Sequence, residues 1–241
     1  MMKKLLHIGQ MILMALVVIG LYAFTNHRNK GREVVGIVME FTPNENVYTN
    51  INAVNKLLIQ KMGAPLKLPK EKVALSTIEA WLKEDPMLLN ANVYMTVDGT
   101  LRALLTQRTP EARVVSDSVF YLDKQGNPMP LSEFHSARVP LVTGKLSKKS
   151  LEDSHKIVAY AAQDDFLIKN MVGIHVPSPG HYVLQSRMDD FDIVLGDSQD
   201  LEEKINKLKA FYNKAQKDQS LQQYSLVDLR FKNQVVATKK Q

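Results

Sequence analysis

The sequence predicts an α+β protein carried on one membrane-spanning helix. Three observations predict it. An unbroken apolar run stands near the start. Strand and helix signals then follow in the order β-α-α-β-β. A longer second array of short strands is interrupted by two amphipathic helices. That pattern indicates a mostly antiparallel sheet with helices packed on it.

The apolar run, Leu5 to Phe24, is 20 residues without a formal charge when His7 is neutral. A helix of that length rises about 30 Å, enough to cross the hydrocarbon core. Lys3 and Lys4 precede it; His27, Arg28, Lys30 and Arg32 follow it. A cleaved secretory signal has a shorter apolar stretch and ends in small residues. Here bulky Tyr22 and Phe24 occupy that place, so the run predicts a retained anchor, and Tyr22 suits the interface. The expected topology is a cytoplasmic tail over 1–4, a transmembrane helix over 5–24 and a large outer domain.

The net charge of +6 is concentrated at the membrane. Five of the 31 basic residues flank the apolar run; from Glu33 onward 26 basic residues face 25 acidic ones. Anionic lipid headgroups reward such flanking charge. No basic stripe interleaved with aromatics remains for nucleic acid. Zero cysteines exclude disulfides and thiolate metal sites.

The outer part predicts two domains, 32–107 and 108–241. In the first, Glu33 to Phe41 alternates as a strand, and Thr42-Pro43-Asn44-Glu45-Asn46 breaks it. Ile51, Val54, Leu57, Leu58 and Met62 recur at helical spacing, with Gly63 and Pro65 as the stop. Ser76-Thr77-Ile78-Glu79 reads as a capping box opening a short helix through Trp81, a core candidate. Ala91 to Val97 and Thr100 to Gln107 alternate across Asp98-Gly99, the pair a two-residue type I′ hairpin favours.

In the second domain, Arg113 to Ser116 and Val119 to Leu122 are short strands around a polar turn. Asp123 to Pro130 is turn chemistry. Ser147 to Phe166 reads as one helix. Gly173 to Val176, Tyr182 to Ser186 and Phe191 to Leu195 read as strands. Gln199 to Ala215 is a second helix, with Leu201, Ile205, Leu208 and Phe211 as its apolar stripe. Tyr224 to Phe231 is the next strand, and Val235 to Ala237 returns as a short last one.

A β-α-α-β-β order directly after an N-terminal span resembles a POTRA domain. The junction Arg108-Thr109-Pro110-Glu111-Ala112 is similar to the R-x-P-x-A segment joining POTRA and β domains in the FtsQ/DivIB family. Tyr121-Leu122-Asp123-Lys124-Gln125-Gly126 resembles that family's Y-x-D-x-x-G turn. Pro140-Leu141-Val142-Thr143-Gly144 resembles its P-x-(V/I)-x-G strand. Asp192 to Gly196, a helix, and Tyr224 to Arg230 resemble its last third. The resemblance covers nearly the whole chain from the span onward. It implies a single-span scaffold of the divisome in the bacterial inner membrane. Its large domain would lie in the periplasm at the division septum, linking early and late division proteins by protein–protein contact.

Catalytic and metal patterns weigh against other classes. No H-E-x-x-H, G-x-S-x-G, Walker A or Rossmann glycine pattern occurs. His175 and His181 flank a Pro-Ser-Pro-Gly turn and read as hairpin-end histidines rather than a metal pair. Asp189, Asp190 and Asp192 lack EF-hand spacing and read as a solvated turn, as do Asp164 and Asp165 near a helix end. No enzyme, no cofactor and no nucleic-acid partner are expected. Two other readings are a POTRA-bearing envelope assembly or secretion protein and a membrane-anchored envelope hydrolase.

Binding is expected at the C-terminal strand. Unpaired N–H and C=O groups on a sheet edge accept an incoming strand. The resemblance implies that the last strands receive an FtsB-like or FtsL-like single-span partner. The candidate contact residues are Tyr224, Leu226, Arg230, Phe231, Lys232, Asn233 and Gln234. Arg230 can fork onto a partner carboxylate, and Phe231 can fill a pocket. Other division proteins would meet the POTRA domain.

Overall fold

A computed structural model describes residues 2–30, 33–43, 48–62, 69, 73–187 and 189–240. The expected turn residues Asn44-Glu45-Asn46, the helix stop at Gly63 and Pro65, and Arg32 lie outside the described residues. Helix α1 (Met2–Lys30) is longer than the apolar run. Its segment His7–His27 is long and apolar enough to cross a membrane, and side chains from Ile8 to Phe24 are exposed along it. The chain divides into two compact units, Met1–Gln107 and Arg108–Gln241.

After α1, the first unit orders as β1 (Gly36–Phe41), α2 (Ile51–Met62), α3 (Leu75–Leu82), β2 (Leu88–Met95) and β3 (Thr100–Gln107). Its sheet runs β1-β3-β2, with β1 parallel and β2 antiparallel to β3. Val54 and Leu58 of α2 and Ile78 and Leu82 of α3 close on Ala91, Leu101 and Leu105. Leu58 and Leu82 are fully buried, each worth about 1.5–3 kcal/mol of apolar burial. Trp81 packs partly buried against this core. Asn50 starts α2, its Oδ1 accepting from Ala53 N at 2.7 Å.

Three local expectations in this unit change. The first strand begins at Gly36, while Glu33 forms only a bridge to Pro69. Helix α3 begins at Leu75, so Ser76 lies inside it, and the capping position, Ala74, offers no side-chain bond. Glu79 is thereby free to reach away from its helix, and its Oε1 accepts the Val93 N–H of β2 at 2.8 Å. The hairpin loop has three residues, Val97-Asp98-Gly99, closed by Thr96 N to Thr100 O at 2.9 Å. Of its residues only Gly99 takes a positive φ, +101°. A type I′ pair would need two. Asp98 instead accepts from Thr100 Oγ1 at 2.7 Å, and hydrogen bonds from Thr96 and Thr100 hold its carboxyl down at about 2.

The second unit is one nine-stranded sheet with helices. Its elements are β4 (Pro110–Val115), β5 (Val119–Asp123), β6 (Pro128–Met129), β7 (Leu141–Gly144), α4 (Lys148–Ala161), α5 (Asp165–Asn170), β8 (Met171–Ser178), β9 (His181–Ser186), β10 (Asp192–Gly196), α6 (Leu201–Lys217), β11 (Tyr224–Asp228) and β12 (Val236–Lys239). The order across the sheet is β12-β11-β10-β9-β8-β7-β4-β5-β6. Five of its pairings are antiparallel and three parallel. Ile157 and Val158 of α4, Leu167 of α5, and Ile205 and Leu208 of α6 share one core with strand residues such as Val142, Ile174, Leu184 and Val227.

The single helix expected over 147–166 is two. Ser147 caps α4 reciprocally with Ser150, and α4 ends at Ala161. Asp164 then accepts from Phe166 N and Leu167 N at 3.0 and 3.1 Å, starting α5. It also takes Lys209 of α6 at 2.5 Å, so it is engaged rather than solvated. The Asp123 turn is built as the motif implies: buried Asp123 accepts from Gln125 N and Asn127 N, and Arg108 sits 3.4 Å away.

Candidate partner-binding edge

The C-terminal end of the nine-stranded sheet is built in three steps. Helix α6 carries the chain from β10 back to β11, which lies parallel to β10 with Asp192 opposite Leu226. Phe211 of α6 meets the Tyr224 ring edge-on at 5.2 Å, fixing the start of β11 under the helix. The chain then turns, and β12 returns antiparallel, with Leu226 opposite Thr238 and Asp228 opposite Val236.

The expected strand Tyr224 to Phe231 therefore ends at Asp228. Leu229 still bonds β10, its N donating to Val194 O at 2.9 Å, and it is fully buried. Arg230 and Phe231 belong to the connection, together with Lys232, Asn233 and Gln234. Asn233 takes φ +62° there, a conformation Asn tolerates better than most residues. The strand at the edge is β12, not β11.

Arg230 is held from two sides. Its Nε lies 3.0 and 3.1 Å from the two carboxylate oxygens of Asp228, and its Nη2 donates to Oδ2 at 2.6 Å. Its backbone N also donates to Asp228 Oδ1. The hydrogen bonds and charge of Arg230 hold the buried Asp228 carboxyl below its ordinary value. The aliphatic stem of Arg230 lies over Gly196, where an added Cβ would come 2.7 Å from its Cγ. Gly196 also takes φ +77°, so space and backbone both call for glycine. Lys207 of α6 reaches across to the carbonyls of Phe231 at 2.8 Å and Leu229 at 3.3 Å. Phe231 itself is 43% exposed on this fixed backbone.

Beyond β12 no strand follows among the described residues. Thr238 O accepts from Ser225 Oγ, and Lys240 N donates to Gln223 O at 2.7 Å. Residues 238 and 240 thus turn their backbone groups toward β11. By the alternation of a strand, Ala237 and Lys239 turn theirs outward. Beside that open row runs a groove of about 570 Å³ between α6 and β12. Phe211, Tyr224, Val235 and Ala237 give it apolar walls; Lys207, Lys214 and Lys239 also line it, with Asp218 the one carboxylate.

The other sequence candidates are placed separately. His175 Nδ1 is 3.1 Å from Thr143 Oγ1, and His181 Nδ1 is 3.3 Å from Ser178 Oγ. No group of three His, Cys, Asp or Glu able to hold a metal occurs among the described residues. Asp189 is not a solvated turn residue: it accepts from Tyr212 Oη at 2.6 Å and Ser186 Oγ at 3.2 Å. Burial and that acceptor push the Tyr212 phenol up. Sequence reasoning missed Asp228, Lys207 and Gly196. The Asp-x-Arg spacing at 228 and 230 was the one local signal available.

The family profile described as FtsQ/DivIB, C-terminal related, matches residues 109–238, more than half of the chain and nearly all of the second unit. This chain belongs to the FtsQ/DivIB family. The match begins at the R-x-P-x-A junction and ends within β12, so it takes in every strand of the large sheet. FtsQ/DivIB proteins are cell-division proteins, and the N-terminal helix of this FtsQ/DivIB chain fits a single-pass membrane protein. No curated protein sequence matches the chain.

Proposed function

We propose that this FtsQ/DivIB protein is a non-catalytic scaffold of the divisome. Helix α1 anchors it in the inner membrane with both units on the periplasmic side, at the septum. Strand β12 receives an extended segment of an FtsB-like or FtsL-like single-span partner by strand addition. The first unit, with its POTRA-type order, serves other division proteins. The scaffold carries out no bond chemistry and positions septal wall synthesis through its contacts.

The observation that carries this reading is the uncovered β12 edge beside a groove with apolar walls and three lysines. Outward N–H and C=O groups supply main-chain affinity, and the flanking side chains supply selectivity. Phe231 is a rigidly mounted aromatic of the kind that anchors interfaces. The lysines favour a partner segment bearing carboxylates.

The test is site-specific photocrosslinking in cells, with the crosslinker placed at Lys239 and, as a control, at Val97 on the exposed loop of the first unit. An adduct at 239 with an FtsB-like or FtsL-like protein supports the reading. An adduct with neither, in cells where the protein reaches the septum, refutes the edge assignment.

A further inference from the structure

A second groove, of about 560 Å³, lies between α4, α5 and the strand-free segment leading into β7. It shares no lining residue with the β11–β12 end. Val139, Val158, Ala161, Leu167 and Met171 give it an apolar floor. Ile168 of α5 also lines it and is 54% exposed.

Its polar lining is cationic. Lys124, Arg138 and Arg187 all line it and are exposed, and none of their side chains meets a carboxylate among the described residues. The single acid, Glu111, is half-buried, and its Oε2 lies 3.4 Å from His155 Nε2, which also meets the Lys124 carbonyl at 3.2 Å. Exposed arginines that meet no carboxylate, beside half-buried Val139 and exposed Ile168 over a buried apolar floor, are complementary to an anion with an apolar body.

The backbone favours a peptide as that body. Segment 138–140 leads directly into β7, yet only Pro140 is tied to the sheet, its O accepting from Arg113 N at 2.9 Å. The Arg138 and Val139 amides have no hydrogen-bond partner among the described residues. A peptide backbone can satisfy such amides, whereas an acyl chain cannot.

We propose that this groove docks a short segment of another protein: an apolar side chain seats against Val139 and Ile168, and flanking Asp or Glu residues meet Arg138 and Arg187. This is a second docking surface, independent of the β12 edge.

The test uses the full chain in nanodiscs as bait for a random twelve-residue peptide display library, with an Arg138→Glu/Arg187→Glu chain as counter-bait. Enrichment of peptides with a central Leu, Ile, Phe or Met flanked by acidic residues is expected. A synthetic representative should bind at least about tenfold more weakly to the charge-reversed chain and to Ile168→Asp. It should bind a Lys239→Pro chain unchanged. Melting curves confirm that the variants stay folded; if charge reversal unfolds the chain, Arg138→Gln/Arg187→Gln replaces it with the same expectation. Absence of that consensus, or equal binding to the substituted chains, overturns the proposal. Binding lost in Lys239→Pro would transfer the peptide to the β12 edge. Phosphatidylglycerol micelles that bind dependent on Arg138 and Arg187, with no peptide enriched, would overturn it in favour of a lipid headgroup.

Discussion

The two ends of the nine-stranded sheet solve the same problem differently. At one end β6 is two residues long and contains Pro128, which has no N–H to offer. At the other, β12 has four residues and a free outer row. The edge strand β2 of the first unit shows a third solution, in which the Glu79 side chain takes the Val93 N–H. Shortness, proline and a side-chain acceptor are all ways of denying a neighbouring strand its bonds. Strand β12 uses none of them, although Lys239 and Lys240 discourage pairing with a second copy of itself. Of these three edges, β6 and β2 are blunted and β12 is open, which is what supports β12 as the proposed docking strand.

The comparison breaks most directly at Lys239. If β12 is the docking strand, Lys239→Pro removes an outward N–H without touching the ladder to β11. Affinity for the FtsB-like partner should fall by more than about a hundredfold, which is about 2.7 kcal/mol. The melting curve should be unchanged, and calorimetry on the purified chain reads both. Retained affinity would mean that β12 is no more a docking edge than β6. Proline at Asn233 is a different experiment. Its φ of +62° is closed to proline, so that change should disturb the turn itself.

Phe231→Ala tests whether side chains on the connection add to the backbone row. With the ring 43% exposed, stability should move by no more than about 0.5 kcal/mol. Binding should weaken by about 2 kcal/mol, or about thirtyfold. A drop in melting temperature with unchanged affinity would make Phe231 a packing residue.

Glu79→Ala sharpens the contrast from the blunted side. Losing the acceptor for Val93 N–H should cost about 1 kcal/mol in chemical denaturation of the first unit. It also gives β2 a free donor, so self-association in sedimentation velocity should rise relative to wild type. Unchanged sedimentation with the expected stability loss would show that Glu79 acts only as a brace.

The smallest effect concerns acid. Because Arg230 holds Asp228 below its ordinary value, the folded state favours the ionised form. The stabilisation is fully present above the unfolded carboxylate value of about 3.9 and is lost as pH falls through the lower folded value. Asp228→Asn should therefore flatten the steepest part of the melting-temperature profile below about pH 4, and do little to that slope at neutral pH. An identical acid limb in the variant would assign that limb to other carboxylates.

What the sequence made legible was what repeats locally. The apolar run, the periodicity of α2 and α6, and the β-α-α-β-β order are written in neighbouring residues, and the structure follows them. Ser147 was placed at its helix start for the same reason. The misses are places where a distant group decides. Val227-Asp228-Leu229-Arg230-Phe231 keeps a strand's alternation through the point where the chain turns, and only the Asp228–Arg230 fork and the Gly196 seat show why it stops. Asp164 reads as a surface acid until Lys209, far along the chain, arrives beside it. Glu79 forms a sound capping pattern with Ser76, but an unpaired donor on β2 claims it. At the candidate edge the residue types were visible and their arrangement was not. Arg230 is already committed to a carboxylate of its own chain, which the spacing alone does not reveal.

The order in which the large sheet is completed gives its open edge a meaning in time. Strand β12 touches the sheet only through β11, and β11 only through β10, after the crossover helix α6 has packed. β12 is also the last strand of the sheet in chain order. Until β10 and β11 are placed, there is no surface on which β12 can settle. A chain halted before β11, or one in which β11 has not paired with β10, lacks this edge. If a partner pairs along β12 as proposed, it meets that strand only on chains in which β10 and β11 are already in place, so the edge reports that this end of the sheet is complete.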